Sequence, residues 1–328
     1  MHTLGFLNAI RIRLHILVVV MMSVLAQTSV AGLFSEETEP TEDHKLTLVA
    51  SIPPLKMLLD DLVGDKATIE LISQNGSPHH KVMRPSDVAK LNSADMIVWV
   101  GPELEQYLVR FVGRYAGKTL SMIETASDEA LHHFDNVHHS EHVHQHHDHD
   151  QHSTLDPHLW LNPLAVKETG KAIIERISQL DAANASFYQT RYQALVDAID
   201  TSIVVWQKQL MPLKGKAYFV YHDAYGYLES TLGIESLAVL TVNPGVKPSA
   251  KKLGQLAQQL KGVEAACVFY EPEFQQIRLD RVTDARLEYY LLNPLGVVGE
   301  QSASGRLHYI EFMARLVDGF GECLSRLP

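Results

Sequence analysis

Cysteine is scarce in this chain, with two among 328 residues, Cys267 and Cys323. Neither belongs to a CxxC pair or has a histidine beside it, which excludes a thiolate metal site of the zinc-finger kind. In an exported chain an isolated pair most simply forms one disulfide, two buried thiols being the alternative. Basic residues are also few, 28 Lys+Arg against 39 Asp+Glu, and no basic block stands out. That argues against nucleic acid as a partner. The apolar run at 14–25 is interrupted by His15 and Ser23 and is too short to span a bilayer comfortably. The signatures GxSxG, HExxH and GxGxxG are absent. The stretch Gly113-Arg114-Tyr115-Ala116-Gly117-Lys118-Thr119 is one residue short of a phosphate-binding loop and lacks the strand such a loop follows.

What is present begins with an address. Arg11 and Arg13 precede the apolar run, and small residues follow, with cleavage expected near Ala26 or Ala31. A basic start, a short apolar stretch and a small-x-Ala end describe a secretory signal peptide over 1–31, a membrane anchor being the alternative. No cysteine stands near the cleavage point, which argues against a lipid-anchored mature N-terminus. Residues 32–45 are polar and acidic and read as a disordered segment.

Histidine is the abundant residue: 18 in all, ten of them between His132 and His152. Almost nothing apolar accompanies them, so no strand or helix period survives. Neutral imidazole is the commonest protein ligand of borderline transition metals. His138, His139, His142, His144, His146, His147 and His149 therefore read as auxiliary sites that bind several ions weakly and without fixed geometry. The run 132–152 reads as a mobile collecting loop. It ends in Asp156-Pro157-His158-Leu159-Trp160-Leu161, which is built to pack.

Outside the run, strands and helices alternate. Strands are expected at 46–50, 67–72 and 96–100, with helices at 55–63, from Pro85 with Ser86 as its cap, and at 103–115. Helical spacing covers 163–180 and then 184–211, which is long enough to connect two lobes. Further strands are expected at 217–221, 237–242, 265–270 and 289–292, and further helices at 248–261 and 306–327. The reading is α/β: a first lobe over 46–180, a linking helix over 184–211 and a second lobe over 213–328, each with a parallel sheet.

His79, His158 and His222 each follow an apolar element and have packing residues beside them. Two belong to the first lobe and one to the second. Three imidazoles with an open fourth position suit Zn²⁺, whereas any one of them alone reads as a surface or satisfied histidine. Glu271 and Glu273 are a possible carboxylate pair, with a structural or hinge role at a strand end as the plainer reading. The glycosylation sequons at Asn75 and Asn184 are of a kind that chance often produces.

Several segments together carry a resemblance. They are Ser77-Pro78-His79, Arg84-Pro85-Ser86-Asp87, residues 94–102 (ADMIVWVGP), the His/Asp-rich loop, Asp156-Pro157-His158-Leu159-Trp160-Leu161, His222-Asp223-Ala224-Tyr225-Gly226-Tyr227, residues 268–274 (VFYEPEF) and Asn293-Pro294-Leu295-Gly296. In this order, over nearly the whole mature chain, they resemble the ZnuA family, the periplasmic zinc-binding proteins of bacterial zinc ABC importers within the metal-binding solute-binding proteins. The resemblance implies two (βα)4-type lobes with parallel sheets, joined by one long rigid helix, with the metal site in the cleft between them. It implies that His79, His158 and His222 bind Zn²⁺, that Cys267 and Cys323 are bonded, and that the His-rich loop lies at the cleft mouth. It further implies a monomer in the periplasm that delivers zinc to an inner-membrane ABC permease with its cytoplasmic ATPase, with a periplasmic zinc-binding accessory protein as a further partner.

Two departures bear on the fourth coordination position. Where members of the wider family often carry Asp in the LDPLG segment this chain has Asn293, and where some carry Glu before the first ligand it has Pro78. Water, the Asn293 carbonyl oxygen or a loop histidine is the expected occupant. Asp223 and Trp160 are expected behind the ligands, and zinc affinity is expected to fall below about pH 6.5, the ordinary pKa of histidine. Two competing functions remain on the residues alone. One is a zinc hydrolase or lyase, which needs a positioned base that no motif supplies. The other is a His-rich metal buffer or adhesin, which would lose most of its capacity with 132–152.

Overall fold

A computed structural model describes residues 45–74, 76–133, 155–241, 248–272, 279, 281–296 and 308–328. The expected signal peptide, the acidic segment up to residue 44, the seven auxiliary histidines, Asn75 and Glu273 lie outside them.

The first lobe is built on β1 (Leu46–Ala50), β2 (Ala67–Leu71), β3 (Met96–Trp99) and β4 (Thr119–Ser121), all parallel, in the order β2-β1-β3-β4. Every residue of β3 is buried, as expected for a strand covered on both faces. Between the strands run α1 (Pro53–Val63), α2 (Pro85–Ser93), the short α3 (Val109–Val112) and α4 (Met122–Thr125). Two details differ from the sequence reading. The cap of α2 is Arg84 rather than Ser86: Pro85 takes the first helical position, and Asp87 Oδ2 accepts the Arg84 N–H at 3.0 Å. The helix expected at 103–115 shrinks to α3 and a 3-10 turn over Gly113–Lys118. Gly113 weakens it, and Glu105 is turned back to accept the N–H groups of Val100 and Gly101.

The chain then crosses through α5 (Pro163–Leu180) and α6 (Ala185–Leu210). The 26 residues of α6 reach about 39 Å at 1.5 Å per residue. Its buried residues Tyr188, Leu195, Ile199, Trp206 and Leu210 recur every seven or four positions, a single stripe, while Val204 and Val205 face solvent.

The second lobe repeats the first. Strands β5 (Tyr218–His222), β6 (Ala238–Thr241), β7 (Ala265–Tyr270) and β8 (Arg286–Leu291) are parallel in the order β6-β5-β7-β8. The helices are α7 (Gly226–Leu232), α8 (Ala250–Gln259) and α9 (Tyr309–Ser325). The strand β8 starts three residues before the sequence suggested, because Ala265 of β7 pairs with Arg286. A disulfide joins Cys267 of β7 to Cys323 of α9, and both cysteines are buried. The molecule is therefore two parallel-sheet α/β lobes with a long helix between them.

One hydrophobic core runs through both lobes, linking Leu48 and Leu58 to Tyr188, Trp206, Phe269 and Phe320. Polar ties add to it. Asp61 of α1 accepts hydrogen bonds from the Tyr309 N–H at the start of α9 and pairs with the His308 ring. Gly296 sits where α1 and α9 approach: at φ +68°, a Cβ there would come within 2.9 Å of Met57 Cε.

In each sheet the strand order reverses at its centre, between β1 and β3 and between β5 and β7. Open parallel sheets bind ligands outside the carboxyl ends of strands at such points.

Candidate metal centre

His222 is the last residue of β5, and Glu271 is the first after β7. These strands are neighbours, so the two side chains meet at the reversal point of the second sheet. His222 Nδ1 lies 3.2 Å from Glu271 Oε1, and both residues are buried.

His158 is held differently, by a turn of its own chain. Asp156 Oδ1 accepts the His158 backbone N–H at 3.0 Å and lies 2.6 Å from its Nδ1. Pro157 restricts the backbone between them. The 3-10 turn that follows, Leu159–Leu161, is fully buried and anchors the segment. Trp160 packs edge-on against the His158 ring, centroids 5.2 Å apart, and donates Nε1–H to the Pro294 carbonyl at 2.7 Å.

His79 lies in a 3-10 turn, Pro78–His80, in the loop beyond β2. Ser77 caps the turn by accepting the His79 N–H at 3.3 Å. Its ring is half-buried in the same place as the other two.

The three rings converge. Centroids are 5.6 Å apart for His79 and His158, 5.5 Å for His79 and His222, and 4.8 Å for His158 and His222. One ring nitrogen from each lies within 4.8 Å of the others, and no other such cluster of His, Cys, Asp or Glu occurs among the described residues. With Nδ1 of His158 and of His222 turned to a carboxylate, Nε2 of each keeps its lone pair for an ion. Nε2 of His79 and Nε2 of His158 are buried without a hydrogen-bond partner, an arrangement that costs free energy unless a ligand relieves it.

The electrostatics favour neutral rings at His79 and His158. Burial, then the neighbouring rings of His158, His222 and His80, lowers His79 to about 2. Burial, then His222, holds His158 well below the ordinary range. Burial raises Asp156 to about 7, against the opposing pull of its hydrogen bond from His158. The two carboxylates behind the rings would balance the charge of a divalent cation.

The sequence had brought His79, His158 and His222 into question as a set, and all three stand here. Asn293 is engaged in its own turn: Oδ1 accepts the Leu295 N–H at 3.0 Å and Nδ2 donates to the Gly296 carbonyl at 2.8 Å. Asp223 follows His222 and donates its backbone N–H to the Thr241 carbonyl. The carboxylates found on the rings, Asp156 and Glu271, were not assigned that role from sequence. Asp156 was legible in principle, because Asp at i forms a turn with the N–H of i+2. Glu271 was not, because it is 49 residues from His222.

Known proteins share this chain's sequence and fold over most of its length. A family model described as zinc-uptake complex component A, periplasmic (ZnuA), matches residues 48–323. The high-affinity zinc uptake system protein ZnuA of Yersinia pestis is 32% identical, with 85% of this chain and 91% of that protein covered. Its counterpart from Haemophilus ducreyi is also 32% identical, covering 85% and 93%. Among solved structures, the periplasmic zinc-binding protein TroA from Treponema pallidum superposes with a TM-score of 0.70 at 17% identity, over 85% of this chain and 99% of that one.

Proposed function

We propose that this chain, which belongs to the ZnuA family of periplasmic zinc-uptake components, captures Zn²⁺ with His79, His158 and His222 and delivers it to an ABC permease in the inner membrane. The observation that supports the reading is the meeting of three imidazoles from two lobes at the carboxyl edges of their sheets.

Zinc is cargo here, and its chemistry suits the donors. Three nitrogen ligands with no directly placed carboxylate favour a borderline cation such as Zn²⁺ over Mn²⁺, which prefers oxygen. Zn–N bonds of about 2.0–2.1 Å in tetrahedral geometry put ligand nitrogens about 3.3 Å apart. The rings, whose nitrogens are within 4.8 Å of one another, therefore close by up to about 1.5 Å around the ion. Because the rings come from both lobes, separating the lobes weakens the site. Release at the permease then needs no covalent step. Water takes the fourth position, since the Asn293 amide is committed to its turn.

Export to the periplasm rests on the basic residues and apolar run at the N-terminus. The histidines of the run at 132–152 gather zinc, and the three-histidine site holds one ion tightly.

Metal analysis and titration calorimetry on the purified chain test the reading. The expected result is one tight zinc, abolished or weakened at least 100-fold in His158→Ala and in His222→Ala. A chain that takes up no stoichiometric zinc, or a His158→Ala variant that binds as tightly as wild type, overturns it.

A further inference from the structure

The His-rich run leaves and rejoins the fold through a narrow neck. Asp156 donates its N–H to the His132 carbonyl at 2.9 Å, and His133 bridges to Leu155 in antiparallel fashion. Both sides of this neck meet one side chain from the other lobe. Tyr227, in the first turn of α7, accepts the His132 N–H at 2.9 Å and donates its hydroxyl to the Asp156 carbonyl at 2.9 Å. Its ring lies 5.2 Å from the His132 ring and is itself buried.

Asp156 is thus the crossing point of two sets of bonds. Its backbone is fixed to His132 and Tyr227, and its carboxylate holds the His158 backbone and ring.

We infer that Tyr227 is a positioning residue for zinc binding: from the second lobe, its hydroxyl fixes the backbone of Asp156 and through it the ring of His158. The inference rests on the reading of His158 as a zinc ligand. It gives the first-lobe ligand His158 a tether to the second lobe that is separate from the metal. Lobe separation pulls on the Tyr227–Asp156 bond, and so loosens His158 at the moment the ion must leave. It also joins the root of the His-rich run to the support of a ligand without requiring any histidine of the run to touch the site.

Tyr227→Phe removes one oxygen and keeps the buried ring. Calorimetry with zinc alone should show affinity about tenfold weaker, the lower end of the usual loss for a partner behind a metal ligand. Melting of the metal-free variant checks that it is folded. The readout that a merely structural role would not move is a double-mutant cycle with Asp156→Ala, which removes the side chain that carries the positioning to His158. If Tyr227 acts through Asp156, the Phe substitution costs less than twofold more in the Ala background. The tenfold loss should also persist in a chain whose residues 134–154 are replaced by Asn-Gly. Wild-type affinity in Tyr227→Phe overturns the inference, as does a full tenfold loss added to that of Asp156→Ala. A wild-type chain without a tight zinc site instead defeats the zinc-site reading beneath it, so the two failures are distinguishable.

Discussion

Asp156 and His158 are two residues apart and joined twice, with one carboxylate oxygen 3.0 Å from the His158 backbone nitrogen and 2.6 Å from its Nδ1. The carboxylate sets both where the ring stands and which nitrogen is left for the metal. A ligand so held loses little freedom when it binds.

Asp156→Asn keeps the shape and the capping oxygen but removes the charge. Zinc affinity should fall between about tenfold and 100-fold, the usual range for a partner behind a ligand. Glu271→Gln should fall in the same range through His222. Competition with a chelating dye measures both, and unchanged affinity in Asp156→Asn would show that geometry alone suffices.

Zinc uptake should release a proton from Asp156 below about pH 7, and none from His79 or His158. His79 and His158 are already neutral in the metal-free protein, because burial and like-charged neighbours depress them. Asp156 is raised to about 7 and so holds a proton at pH 6, which a nearby dication drives off. Affinity then begins to weaken near pH 7 and not at the ordinary histidine value of about 6.5. Calorimetry at pH 6 in buffers of different ionisation enthalpy should count about one proton per zinc more in the wild type than in Asp156→Asn.

Glu105 is buried at the end of β3, where it accepts the N–H groups of Val100 and Gly101, and burial raises it to about 7. Its folded value lies above its unfolded value of 4.5, so the native state binds the extra proton between the two. The stability it contributes is complete below pH 4.5 and is lost as the pH rises through 7. Glu105→Gln lacks this titration. Its advantage over wild type should grow between pH 4.5 and 7 to the order of 3 kcal/mol and then level off. Urea melts at pH 4.5, 6 and 8 check the trend, and a constant gap would refute it.

Excision of residues 134–154 is set by the neck, which leaves His133 and Leu155 already paired. An Asn-Gly turn can join them, since two-residue hairpin loops favour that pair. The shortened chain should keep one tight zinc and lose the weak ones. A calorimetric titration separates the two classes, and loss of the tight site would place a ligand inside the excised run.

The Cys267–Cys323 bond closes a separation of 56 residues and fastens α9 to the second sheet. On the chain-entropy account its removal costs about 4 kcal/mol. Double substitution to serine should lower the guanidinium midpoint of the metal-free protein accordingly. Addition of reductant should lower the wild type towards the same value and leave the variant unchanged.

Pattern along the chain suffices for the alternation of strand and helix, the long α6, and the position of each histidine after an apolar element. These are local matters. Strand and helix declare their periods within a few residues, and α5 and β7 occupy the ranges the pattern predicted. Tertiary structure decided what stands behind the ligands. Glu271 reaches His222 only because β7 lies beside β5, and Tyr227 reaches Asp156 only because α7 packs across the neck. It also dissolved the helix expected at 103–115, where Glu105 satisfies the end of β3 instead of extending a helix. Such contacts join residues 49 and 71 positions apart. Strand order and packing bring those positions together, and no local pattern in the chain encodes the pairing.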